Sequence, residues 1–282
     1  MSVGRKVQSL YFSPTGTTRK ILSTIEENTG LPLISQIDLT LPKKRESFNG
    51  EVQGDAVLVG SPVYSGSPPW PLVGLLNRLE GQGKWAVPVA VYGNRSPDTC
   101  VDELAKILRN RGFKILAAAS FIAQHSFATK EHPWALGRPD QRDLEIAAKF
   151  GGQIKQKLLS NPSEIQTSNR LLNSLTGQMV ESFPEGYHKT LAGGVKSLLS
   201  VSFSKDKVCT ECMGCSSVCP TDAINVDSKE INSDLCLRCT ACMRACPEGV
   251  LSPQLNASPS ARGAMEGLDK LFAVRKEPKI YV

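Results

Sequence analysis

Cys209-Thr210-Glu211-Cys212-Met213-Gly214-Cys215-Ser216-Ser217-Val218-Cys219-Pro220 is answered further along by Cys236-Leu237-Arg238-Cys239-Thr240-Ala241-Cys242-Met243-Arg244-Ala245-Cys246-Pro247. Both read Cys-x-x-Cys-x-x-Cys-x-x-x-Cys-Pro, so eight of the nine cysteines fall in two copies of one ladder. Short Cys-x-x-Cys steps wrap three thiolates around one centre, and the fourth must come from farther away. Pro220 and Pro247 fix φ and stop a helix, which turns the last cysteine of each run away from its own trio. Zinc also takes Cys-x-x-Cys pairs, but it requires neither the third step nor the Cys-Pro end. A disulfide framework is open to eight cysteines, but only in an oxidising compartment. Iron–sulfur cubanes use this whole run, and its doubling favours them.

From about Ser204 to Ser252 the chain resembles a two-cluster bacterial ferredoxin, with all eight ligands in place. The resemblance implies crossed ligation. Cys209, Cys212, Cys215 and Cys246 would hold one 4Fe–4S cluster, and Cys236, Cys239, Cys242 and Cys219 the second.

At 282 residues the chain exceeds what such a domain needs, and its length suits about two domains. A net charge of +6 is mild and spread out. The dense basic run Lys43-Lys44-Arg45 reads as a solvated surface turn, so no nucleic-acid partner is expected. Met1 to Lys6 lead straight into a short strand-like run, without the apolar core of an export signal. The apolar run from Ile115 to Ala123 is far shorter than a membrane span. A cytoplasmic protein of a reducing cell is the expectation.

Upstream, Val7 to Phe12 reads as a strand, Ser13-Pro14-Thr15-Gly16-Thr17-Thr18 as a loop, and Arg19 to Glu27 as a helix with Ile21, Leu22 and Ile25 on one face. A strand, a hydroxyl-rich loop with one glycine and a helix make a phosphate cradle, because N–H groups at a helix start face the anion. Neither a dinucleotide fingerprint nor a Gly-Lys-Ser/Thr loop is present. Alternating elements follow: strands at Leu31 to Leu39, Asp55 to Val59, Trp85 to Tyr92 and Phe113 to Ile122, helices at Trp70 to Leu79, Cys100 to Asn110 and Asp140 to Leu159. Such alternation predicts a parallel sheet with helices on both faces. Cys100 falls on an amphipathic helix and reads as an inert buried thiol.

The loop also has the flavodoxin form Ser/Thr-x-Thr-Gly-x-Thr, matched by Ser13, Thr15, Gly16 and Thr18. This half of the chain resembles a flavodoxin. The resemblance implies a five-stranded doubly wound α/β sheet in the order 2-1-3-4-5, with FMN at the β1/β3 switch point. Ser13, Thr15, Gly16, Thr17 and Thr18 would cradle its phosphate. Ser61, Pro62, Val63, Tyr64, Ser65 and Gly66, with Tyr92, Gly93, Asn94 and Arg95, would clasp its ring. Tyr64 either stacks on the ring or packs beneath its loop. The segment Gln124 to Gly137, with His125, His132 and Trp134, is expected to lie over the flavin edge.

Residues 161–203 read as a helical connector and 253–282 as a tail docking back on the body, with a helix over Leu268 to Val274. The whole resembles a flavodoxin–ferredoxin fusion: a flavodoxin-like domain at 1–160 and a small α+β ferredoxin domain at 204–252. FMN trades electrons singly or in pairs, whereas a cubane passes one, so the resemblance implies electron transfer on to a partner redox protein. A reductase acting directly on a small substrate at the FMN is the alternative.

Overall fold

The computed structural model describes residues 4–160, 162–165, 199–255 and 269–282. Its first half alternates β1 (Val7–Tyr11), α1 (Thr17–Thr29), β2 (Leu33–Asp38), α2 (Pro42–Ser47), β3 (Ala56–Pro62), α3 (Trp70–Leu76), β4 (Trp85–Tyr92), α4 (Cys100–Asn110), β5 (Lys114–Ile115), β6 (Ala118–Ile122) and α5 (Gln141–Ser160). The central strands run parallel in the order β2-β1-β3-β4-β6, with β5 also on β4. Side chains alternate across this sheet, as a two-residue period requires. Ala56 and Leu58 of β3 join α1 and α5 on one face, whereas Val57 and Val59 join α3 and α4 on the other. The order and the two helical layers are those of a flavodoxin-like doubly wound domain.

The expected five strands become a seven-stranded sheet among the described residues. The anticipated fifth strand is split: β5 pairs with Trp85 and Ala86, and β6 resumes one register step later, opposite Val89 to Tyr92. Pro88 lies at the slip and has no N–H to give a ladder. The last strand comes from the other end of the chain. β11 (Lys279–Tyr281) pairs antiparallel with β6, Ile280 opposite Ala119, and covers the sheet's open edge. An unpaired edge invites association, so the tail's docking has a physical reason. Residues 269–273 form a helical turn just before it.

The basic run is not a loop. Pro42 starts α2, where its missing N–H costs nothing, and Lys44 pairs with Asp38 at 2.8 Å. Of the expected connector, residues 161 and 166–198 lie outside the described residues, and Leu199–Phe203 is strand β7 rather than helix. β7 pairs antiparallel with β10 (Leu251–Leu255) around the cysteine-rich unit. Inside that unit lie α6 (Gly214–Ser217), the hairpin of β8 (Ile224–Asn225) and β9 (Glu230–Ile231), and α7 (Ala241–Ala245). Among the described residues no helix is long and apolar enough to cross a membrane.

Candidate functional site

The loop between β1 and α1 is a nest at a helix start. Gly16 takes φ 82°, a left-handed value that a side chain resists, and α1 begins at the next residue with no acidic side chain in its first turn. Ser13 Oγ accepts the Arg19 N–H at 3.1 Å, and the Ser13 N–H is given to Thr40 Oγ1 at 2.9 Å. These bonds fix the loop from both ends. The Thr15 and Thr17 hydroxyls lie 3.5 Å apart at its mouth. Positive dipole, open N–H groups and hydroxyls together suit a phosphate.

The loops after β3 and β4 flank the switch point beside this nest. Val63 donates its N–H to Val91 O at 2.9 Å, tying the two strand ends together. Ser61 is fully buried, and its hydroxyl donates to Pro62 O. Ser65 and Gly66 both take positive φ, and the turn closes as a bridge between Tyr64 and Ser67. Glu103, at the start of α4, accepts the Ser67 hydroxyl at 2.9 Å and holds the turn down. Half-buried Tyr64 has its phenol pushed well above the ordinary value by burial and then by the nearby Cys239 thiol. It also hydrogen-bonds with the Ser126 side chain.

The loop after β4 is held by the tail. Asn94, only 2 % exposed, donates its amide to Phe272 O at 2.9 Å and Val274 O at 3.0 Å, and accepts the Lys276 N–H. Arg95 pairs with Asp98, and its carbonyl accepts the Lys276 ammonium. A Cβ on Gly93 would come within 2.4 Å of the His125 ring, so only glycine fits there. Tyr92 is buried at the strand end.

The segment 124–137 does not form a free lid over the loops after β3 and β4. Trp134 stacks on Phe272 at 4.7 Å, and His125 stands edge-on to both rings at 5.1 Å. Asp269 accepts the Trp134 indole N–H at 2.7 Å and bonds His132 Nδ1 at 2.9 Å. Burial among these rings pushes His125 down to about 4; its Nδ1 accepts the Phe127 N–H. Phe127, Trp134 and Phe272 share one apolar cluster with Cys215 and Cys242 of the cysteine-rich unit. The segment is mortar between three parts of the chain. Sequence reading missed this because Asp269 and Phe272 lie far away in the chain and match no local motif. Cys100 is fully buried, its thiol pushed well up by burial.

The two cysteine ladders fold alike. Glu211, Met213 and Asp222 take positive φ, as do Arg238, Thr240 and Gly249 at the same places in the second copy. Alternating left- and right-handed residues turn backbone N–H groups inward, forming the nests that suit iron–sulfur sites. The sulfurs accept such bonds: Ala223 N–H reaches Cys219 Sγ at 3.2 Å, and the Ser216 and Met243 N–H groups reach Cys215 and Cys242. Cys219, Cys236, Cys239 and Cys242 line a single cavity, roofed by Pro220, Leu237 and Thr240. The fourth member therefore comes from the other ladder. Cys215 feels the charges of Cys209 and Cys246, again across ladders. Burial pushes Cys239 and Cys242 up to about 12, so both stay protonated unless a cationic ligand takes the proton's place. Among the described residues no three such ligands close on a point where one metal ion would bind. Four thiols drawn from two ladders around one cavity are the donor set of an iron–sulfur cluster.

Residues 208–262 match the 4Fe-4S dicluster domain family. No curated protein matches the chain. Among solved structures, the chain is similar to a flavodoxin from the domain Archaea, with 16 % identity, 54 % of this chain and 98 % of that one covered, and a TM-score of 0.40. A flavodoxin of Streptococcus pneumonia TIGR4 gives 16 %, 54 %, 99 % and 0.39. An NAD(P)H:quinone oxidoreductase from Methanothermobacter marburgensis gives 15 %, 58 %, 100 % and 0.37.

Proposed function

We propose that this chain, which joins a flavodoxin-like domain to a 4Fe-4S dicluster domain, passes low-potential electrons between FMN and two 4Fe–4S clusters, and on to a partner redox enzyme. The observation that carries the reading is the cavity lined by Cys219, Cys236, Cys239 and Cys242, thiols of both ladders, next to the loop after β3. When bound, FMN exchanges electrons singly or in pairs and each cubane exchanges one, so together they convert between the two kinds of traffic.

The protein's share is to hold and tune. Ser13, Thr15, Gly16, Thr17 and Thr18 form the phosphate nest. Ser61 to Gly66 and Tyr92 to Arg95 would clasp the ring, with Asn94 positioning its loop through the tail. Cys209, Cys212, Cys215 and Cys246 form the second thiol set. Backbone N–H bonds to Cys215, Cys219 and Cys242 draw charge from sulfur, which raises a cluster's potential. The domain limits proposed are 1–160 for the flavin domain and 204–252 for the cluster domain, which β7 leads into.

Anaerobically purified protein should contain about eight iron atoms and about one FMN per chain. Zinc in place of iron, or no bound flavin, overturns the proposal. Reduction of small quinones at a rate independent of any protein acceptor would instead support the reductase alternative.

A further inference from the structure

We infer that the two thiol sets are inequivalent: Cys219, Cys236, Cys239 and Cys242 form the inner set, exchanging electrons with the flavin across Tyr64, whereas Cys209, Cys212, Cys215 and Cys246 form the outer port. This order rests on the electron-transfer reading and deepens it. The ladders repeat in sequence and backbone angles, yet equivalent places meet opposite surroundings. Arg238, Cys239 and Thr240 are buried; their counterparts Glu211, Cys212 and Met213 are exposed. Met213 is 51 % exposed, and Val208, just before the first ladder, is 83 % exposed.

Contacts of the second ladder, and of Pro220 at the end of the first, reach the flavin domain. Leu237, like Val63 and Tyr64, packs against the core beneath α3 and α4. Thr240 donates its hydroxyl to Ser126 O at 2.8 Å, and Ser126 also bonds Tyr64. Arg45 donates to Pro220 O at 2.7 Å. Leu237, Thr240 and Pro220 all line the cavity of the inner thiols. The ring loop thus adjoins that cavity, with Tyr64 near Cys239 and sharing Ser126 with Thr240. With both groups bound, an outward electron would pass from the reduced flavin to the cluster held by the inner thiols. No bond to the protein forms or breaks, and any proton the flavin gives up goes to water. A cluster held by Cys209, Cys212, Cys215 and Cys246 would then receive the electron and yield it to a one-electron acceptor protein.

The test uses full-length anaerobic protein carrying Tyr64→Phe, Tyr64→Ala, Leu237→Thr or Val208→Asp, with iron and flavin measured first. Flavin absorbance and the paramagnetic resonance of the reduced clusters report internal exchange; reduction of a ferredoxin-type acceptor reports the outer step. Tyr64→Ala should slow internal exchange about tenfold or more, with Tyr64→Phe restoring most of the rate. Val208→Asp should alter only the outer step. Internal exchange unchanged in a fully loaded Tyr64→Ala, or slowed by Val208→Asp, overturns the order. If Tyr64→Ala loses its flavin, Leu237→Thr decides the question from the other side of the seam, a wild-type internal rate overturning the order and a slowed one supporting it. Wild-type protein lacking iron or flavin would instead defeat the underlying reading.

Discussion

His125 illustrates how much one side chain is set by its neighbours. As a lone histidine in a loop it reads as structural, and it is: enclosed by Phe127, Trp134 and Phe272, and facing Arg95, it is held neutral down to about pH 4. The unfolded chain takes up that proton near pH 6.5 and the folded chain does not, so the contribution is complete above 6.5. It is lost as pH falls from there through about 4, up to roughly 3 kcal/mol in all. His125→Gln should flatten the stability profile over that window relative to wild type, measured by chemical denaturation at several pH values. A variant with the wild-type slope would place the acid sensitivity elsewhere. The glycine at position 93 follows from the same ring, since it leaves no room for a methyl group.

Among the elements, the tail does more than its length suggests. β11 closes the β6 edge, Arg138 donates to Lys276 O at 2.8 Å and to buried Asp143, and Arg275 grips Asp140 at 2.6 Å. Asp140 and Asp143 also cap each other's N–H groups where α5 starts. One short segment therefore fixes the sheet edge, the head of α5 and the loop after β4. Removing residues 269–282 should lower the melting temperature and promote self-association through the bared strand, read by light scattering. A truncated chain that stays monomeric at the wild-type melting temperature would show the edge to be protected without the tail.

At the scale of the whole molecule, Arg45 is a polar point at which the two halves meet among the described residues. It donates to Leu39 O, Thr40 O and Pro220 O and lies over the Phe12 ring at 5.8 Å. Burial lowers its pKa, but a guanidinium stays charged. Arg45→Met should weaken the joint by about 1–3 kcal/mol and separate the unfolding of the two domains in calorimetry. A single unshifted transition would mean that the apolar seam alone couples them.

The strands and helices of the first half were legible in the sequence because alternation and helical periodicity are local. The split fifth strand was not, because it turns on Pro88 facing a neighbouring strand. The two cysteine runs were legible because x-x steps and a following proline involve only a few bonds of chain, whereas their crossed ligation was what the resemblance to a two-cluster ferredoxin implied. Arg45, read as solvated, became a strap only because Pro220 lies opposite it. Chain-local chemistry, then, named the groups: a hydroxyl nest and eight thiols in two runs. Their arrangement, with Thr240 of one ladder held to Ser126, Cys212 and Met213 of its twin exposed and the tail gripping Asn94, was decided by contacts between residues far apart in the chain, which no short-range pattern encodes.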